Sequence, residues 1–183
     1  IKPIKNHVGN HYITYQNNIF LIGMMCTGKS SLAPLLSKDL GIPYIDTDKD
    51  ISSFLNLNIK EIFEQYGEEK FRILEATYFL EHIKKKQYIY ATGGGIVLNK
   101  KNCSAMNKYG ITILLDTPLD TIYQRFSKTS NNRPLFNIKQ NKKNLISLWN
   151  KRKSLYYNCA DLIIDTQQKS LNQIKEEIIK KIK

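Results

Sequence analysis

Gly23-Met24-Met25-Cys26-Thr27-Gly28-Lys29-Ser30 follows the apolar run Ile19-Phe20-Leu21-Ile22 and fits the pattern G-x-x-x-x-G-K-[ST]. Glycines at both ends let the backbone turn sharply and bring its N–H groups against phosphate oxygens. A helix opening here, from Ser30 to Leu40, would aim its positive dipole end at the same anion. Lys29 suits the β- and γ-phosphates, and the Ser30 hydroxyl is placed to ligate Mg²⁺. The segment implies binding of a nucleoside triphosphate.

Four further groups carry polar chemistry. Asp46-Thr47-Asp48 closes a short apolar run, and if the strand continues both carboxylates face one side, able to share a metal and a substrate hydroxyl. One of the two can equally do no more than cap the next helix. In Phe71-Arg72-Ile73-Leu74-Glu75, helical spacing lets Glu75 orient the Arg72 fork towards an anionic substrate. Gly93-Gly94-Gly95 costs conformational entropy for no packing gain unless backbone must approach something closely. Arg133-Pro134-Leu135 places an arginine in a loose loop, where closure would bring it onto a transferring phosphoryl group and exclude water.

Of 28 basic residues only Arg72, Arg125, Arg133 and Arg152 are arginine. Lys, Asn and Ile are abundant throughout, as an A/T-rich coding bias would produce. Arginine then persists mainly where a planar, bidentate fork is needed. All four are candidates for a binding site.

The elements that must position these groups alternate. Strands are expected at 19–22, 43–45, 87–91, 111–115 and 161–164, and helices at 29–40, 50–55, 59–85 with a break near Gly67, 119–126, 145–158 and 171–182. Such alternation gives an α/β domain with a parallel sheet covered by helices and ligands at the carboxyl ends of the strands.

A chain of 183 residues suits one domain. No apolar run reaches the ~20 residues of a membrane span. Cys26, Cys103 and Cys159 form no C-x-x-C pair and are expected as free thiols in a reducing compartment. The net charge of +12 raises nucleic acid or an anionic membrane as partners, but the lysines are dispersed among Glu and Asn and read as a solvated surface. Neither partner is expected.

In this order, the P-loop, Asp-Thr-Asp, Phe-Arg-x-x-Glu, Gly-Gly-Gly, Arg-Pro-Leu and Arg-x-x-Leu-Tyr followed by Ala160 resemble the shikimate kinase family, in the nucleoside monophosphate kinase-like branch of P-loop proteins. The resemblance covers Asn18 to Lys183 and implies a three-layer P-loop kinase fold with a five-stranded parallel sheet and a mobile lid at about residues 127–144. It implies ATP-dependent phosphorylation of the 3-hydroxyl of shikimate to shikimate 3-phosphate, in chorismate and aromatic amino acid biosynthesis. Cys26, Thr27, Gly28, Lys29, Ser30 and Ser31 match the ATP-phosphate site. Ser30 matches the direct Mg²⁺ ligand, and Asp46 the residue supporting the metal. Asp48 matches the carboxylate that binds the substrate hydroxyls and orients or deprotonates the attacking one. Arg72 and Arg152 match the pair that grips the substrate carboxylate, with backbone contacts from Gly93, Gly94 and Gly95. Arg133 matches the lid arginine on the phosphates, and Arg125 the arginine that stacks on adenine. The family implies a monomer, and a cytoplasmic location is expected, or an organellar one if the N-terminus is that of a trimmed precursor.

Cys26 and Phe136 depart from the family, which has a small residue and Leu there. Residues 1–17 lie outside the resemblance and are expected to be an extension or linker, from an organellar precursor or a multifunctional polypeptide. Two rival readings stay open. One is a gluconate or nucleotide kinase of the same branch, the other a silent kinase-like domain that binds partners.

Overall fold

The computed structural model describes residues 17–128 and 142–183. The expected N-terminal extension up to residue 16 and residues 129–141 of the expected lid, Arg133 among them, lie outside the described residues. In chain order the first elements are β1 (Asn18–Ile22), α1 (Lys29–Leu40), β2 (Tyr44–Asp46), α2 (Thr47–Leu55), α3 (Ile59–His82) and β3 (Ile89–Ala91). A 3₁₀ turn (Ile96–Leu98), α4 (Lys100–Tyr109), β4 (Gly110–Asp116), α5 (Leu119–Lys128), α6 (Lys142–Cys159), β5 (Leu162–Asp165) and α7 (Leu171–Ile182) follow.

β1 shows why the sheet is covered on both faces. Ile19, Phe20, Leu21 and Ile22 are all at 0 % exposure, as an unbroken apolar strand must be when neither face meets water. Ile19 and Leu21 pack with Leu32 and Leu36 of α1 and Ile174 and Ile178 of α7. Phe20 and Ile22 point the other way, into a cluster with Phe79 of α3, Met106 of α4 and Tyr156 of α6. The sheet is parallel in the order β2-β3-β1-β4-β5, with Leu21 opposite both Ala91 and Ile113. The chain leaves β1 towards β2 on one side and leaves β3 towards β4 on the other, so the crossovers out of these two neighbouring strands run in opposite directions. That switch opens a crevice at the carboxyl ends of β1 and β3.

Both expected layers of helix and all five expected strands are present, with ends moved by a few residues. Three features bear on the site. The expected helix at 50–55 begins at Thr47, because Asp46 caps it by accepting from the Lys49 amide. α3 breaks at Gly67 as expected, with φ 79° and ψ 166°, and Ile51, Ile62 and Phe71 pack α2 against both its halves. Ser127 and Lys128 extend α5, and Lys142–Asn144 open α6, so these ends of the expected lid are helical. Among the described residues, no helix is long and apolar enough to cross a membrane.

Candidate active site

The loop between β1 and α1 is shaped by close approaches. Gly23 has φ 141°, and a Cβ there would stand 2.9 Å from the Leu115 carbonyl oxygen. Gly28 has φ 102° and serves as the N-cap of α1, its carbonyl accepting from the Leu32 amide at 2.9 Å. Thr27 is buried and donates its hydroxyl to the Met24 carbonyl. Lys29, 7 % exposed, lies along the loop, its Nζ donating to the Gly23 and Met24 carbonyls at 2.7 Å each. Ser30 and Ser31 stand exposed in the first turn of α1. A cavity of about 500 Å³, lined by Cys26, Gly28, Lys29, Asp48, Gly94 and Arg125 among others, opens over the loop. Its size is that of a small-ligand site.

Asp46 and Asp48 do not share one strand face, because the strand stops at Asp46. Asp48 instead reaches the cavity from the first turn of α2. Thr47 fixes that turn, since its hydroxyl donates to the Ala91 carbonyl and accepts from the Gly93 amide at 3.1 Å. Asp46 is 7 % exposed, and its Oδ2 has no hydrogen-bond partner, with Lys49 Nζ 3.9 Å away. A buried carboxylate oxygen in this condition suits a metal held directly or through water. Mg²⁺ needs only one or two protein oxygens beside phosphates and waters. Ser30 and Asp46 therefore fit the ion, and no group of three or more His, Cys, Asp or Glu among the described residues offers another site.

The glycine triplet is where three parts of the site meet. A Cβ on Gly93 would fall inside 3.0 Å of both Glu75 Oε1 and Asp48 Oδ1. On Gly94 it would lie 3.3 Å from the Met25 amide nitrogen, and on Gly95 inside 3.0 Å of the Arg72 guanidinium. None of the three has positive φ. The glycines are required by crowding rather than by an unusual backbone.

Arg72 donates Nη1 to Glu75 Oε2 at 2.7 Å and faces Glu68 Oε1 with Nη2 and Nε at 3.2 and 3.4 Å. Arg152, 5 % exposed, donates Nη1 to the Gly94 carbonyl at 3.2 Å, and its Nη2 lies 3.7 Å from the same Glu68 oxygen. Burial pushes the Glu75 carboxyl up to about 7, against the pull of Arg72, with Asp48 raising it further. Arg125 donates Nη1 to the Cys26 carbonyl at 3.1 Å and lines the cavity.

The structure thus brings together the P-loop, Asp46, Asp48, Arg72, Gly93, Gly94, Gly95, Arg125 and Arg152. Two contributors were not expected from sequence. Tyr156, 0 % exposed, donates its hydroxyl to the Gly94 carbonyl beside Arg152. Glu68 bridges the two arginines. Each stands four residues from the arginine it serves, which is the signal that could have found it.

The shikimate kinase family model matches residues 25–183, nearly the whole of this architecture. The chain belongs to the shikimate kinase family. A shikimate kinase of Persephonella marina is 39% identical over 166 residues, 91% of this chain and 99% of the relative. One from Caldanaerobacter subterraneus is 36% identical over 163 residues, 89% of this chain and 94% of the relative. The solved structure of shikimate kinase from Acinetobacter baumannii in complex with shikimate has a TM-score of 0.87 at 31% identity and covers 92% of this chain and 93% of its own. The P-loop kinase sheet expected from the sequence is the fold of this shikimate kinase family member.

Proposed function

We propose that this chain transfers the γ-phosphoryl group of ATP to the 3-hydroxyl of shikimate, giving ADP and shikimate 3-phosphate, a step towards chorismate and the aromatic amino acids. The observation that carries this reading is the convergence at Gly93–Gly95: the P-loop, the Asp48 carboxylate and two arginine forks meet at one short stretch of backbone. That set suits a ligand with a carboxylate at one end and hydroxyls at the other, lying next to a nucleotide. A shikimate-bound relative of the same fold supports it.

Each chain group has a role in such a transfer. The transition state spreads charge over equatorial phosphoryl oxygens, so stabilisation comes mainly from positioned cations and N–H donors. We assign the amides from Cys26 to Ser31 and the Lys29 ammonium to the phosphates. Lys29 exchanges two neutral loop carbonyls for the charged oxygens of a phosphate. Asp48, at the cavity wall, aligns the attacking hydroxyl and accepts its proton. Arg72 and Arg152 take the carboxylate in fork geometry, with Glu75 and Tyr156 holding their surroundings. Arg125 borders the nucleotide base. Arg133 is assigned to the phosphates on the resemblance of Arg-Pro-Leu alone.

Mg²⁺ held at Ser30 and Asp46 would neutralise β- and γ-phosphate charge when bound. We take the enzyme to act as a monomer, without nucleic acid or membrane. Three free cysteines suit the reducing cytoplasm or an organelle of similar poise.

A substrate panel tests the assignment. With Mg-ATP, phosphoryl transfer to shikimate but not to gluconate or nucleoside monophosphates is the expected outcome. Transfer to one of the latter in preference to shikimate would replace this reading with another small-molecule kinase.

A further inference from the structure

Glu68 presents one carboxylate oxygen to both arginines that the proposed function assigns to the substrate carboxylate, and the role inferred for it below rests on that assignment. The carboxyl groups of this region are not equivalent. Glu75 is 1 % exposed and holds Nη1 at 2.7 Å from within the core. Asp48 faces the cavity and Gly93. Glu68 has a side chain 43 % exposed, and it meets the outer Nε and Nη2 edge of Arg72 at 3.4 and 3.2 Å and Arg152 Nη2 at 3.7 Å.

The Nε and Nη2 edge is one of the two faces on which a guanidinium takes a carboxylate with paired, parallel bonds. Here a single oxygen, Oε1, is shared among three donors at long distances. Nη2 of Arg152 lies 3.7 Å from that same oxygen, while its Nη1 donates to the Gly94 carbonyl. The outer edge of Arg72 and Nη2 of Arg152 therefore converge on one loosely held carboxylate oxygen. A ligand carboxylate, with two oxygens, satisfies these donors better than Glu68 does.

The backbone lets Glu68 leave. Gly67, with φ 79° and ψ 166°, interrupts α3 immediately before it, and nothing lies within 4 Å of where a Gly67 side chain would begin. The Glu68 side chain borders water already, so its carboxylate is solvated on release, and the incoming ligand carboxylate takes its place beside the buried Arg152.

We propose that Glu68 is a built-in competitor for the substrate carboxylate: it occupies the shared edge of Arg72 and Arg152 and is displaced when a carboxylate ligand docks. The competitor keeps the two arginines paired and weakens the hold on substrate and product alike, which limits trapping of product at a highly cationic site. A purely supporting role for Glu68, in which it orients Arg72 for substrate, predicts the opposite sign when its charge is removed.

The test is shikimate binding and turnover by the full chain and by Glu68→Gln, which keeps side-chain size and removes the charge. Release from competition lowers KM and Kd for shikimate by about 2- to 5-fold, the scale of a partly exposed ion pair, with the change in KM rather than kcat. The analogue carrying a hydroxymethyl group in place of the carboxylate binds the two proteins alike, because it does not need the shared edge. An unchanged or higher Kd for shikimate in Glu68→Gln, or an equal gain for the neutral analogue, overturns the inference while leaving the proposed function standing. Failure of the unaltered chain to bind shikimate overturns both.

Discussion

The Arg72 guanidinium fills the space that a side chain on Gly95 would occupy: a Cβ there would lie inside 3.0 Å of Cζ, Nη1 and Nη2. Arg72 is held in place by Glu75 on its inner edge and stacks near Phe71, 5.1 Å from the ring centroid. It has little freedom to yield. The third glycine of the triplet is thus a packing requirement of Arg72, and the sequence Gly93-Gly94-Gly95 and the helix carrying Arg72 are one packed unit.

Gly95→Ala should therefore act like damage to Arg72. Displacing the fork forfeits charge-assisted bonds to a carboxylate, each contributing about 1.5–3 kcal/mol, so KM for shikimate should rise roughly 10- to 100-fold. KM for ATP should change little, since Gly95 does not border the P-loop cavity. Steady-state kinetics in both substrates decide it, and an equal rise in both constants would contradict the packing argument.

Glu75 gives a dependence of stability on pH. Burial raises its carboxyl from the ordinary 4.5 to about 7, so the folded state favours the protonated form. A raised value means the stabilisation is complete below about 4.5 and is lost as pH climbs through about 7, at about 1.4 kcal/mol for each pH unit between the two values. Denaturant unfolding of the unaltered chain and of Glu75→Gln across that window should give curves that diverge, the unaltered chain losing stability relative to the variant as pH rises. Parallel curves would place the ionised carboxylate in the folded protein throughout.

Much of this architecture was legible in the chain because its physical demands leave compositional marks. Ile19 to Ile22 can only be a strand with both faces covered, and Gly67 could only interrupt its helix. Scarce arginines in a lysine-rich chain marked Arg72, Arg125 and Arg152, which the structure brings to one crevice. Less was legible where a residue does two jobs. Asp46 reads as a strand-end carboxylate, yet it also caps α2 and so moves Asp48 onto a helix. α4 was not expected, because Lys100 to Tyr109 is polar and buries only Asn102 and Met106, too thin an apolar stripe to stand out. The roles of Glu68 and Tyr156 became visible only once the two arginines were seen to converge, since a four-residue spacing from an arginine is a faint mark that many helical residues share.

Cys26 occupies a left-handed backbone position, φ 59°, in the phosphate loop. A side chain there costs about 1–2 kcal/mol. Cys26→Gly should be more stable to heat by a margin of that order and should keep its activity, because the loop's carbonyl contact to Arg125 uses backbone alone. The unaltered chain should be active as it stands. Near-complete inactivity rescued by Cys26→Gly would mean that the thiol blocks the phosphate cradle.

Transfer to shikimate, with Asp48 aligning the nucleophile, is the central claim. Coupled ADP release with Mg-ATP, with and without shikimate, in the unaltered chain and in Asp48→Asn, tests it most directly. Release should depend on shikimate and fall by about 10²-fold or more in the variant, as for loss of a positioned proton acceptor. Shikimate-independent release, no release from a folded protein that binds ATP, or full activity in Asp48→Asn would contradict it.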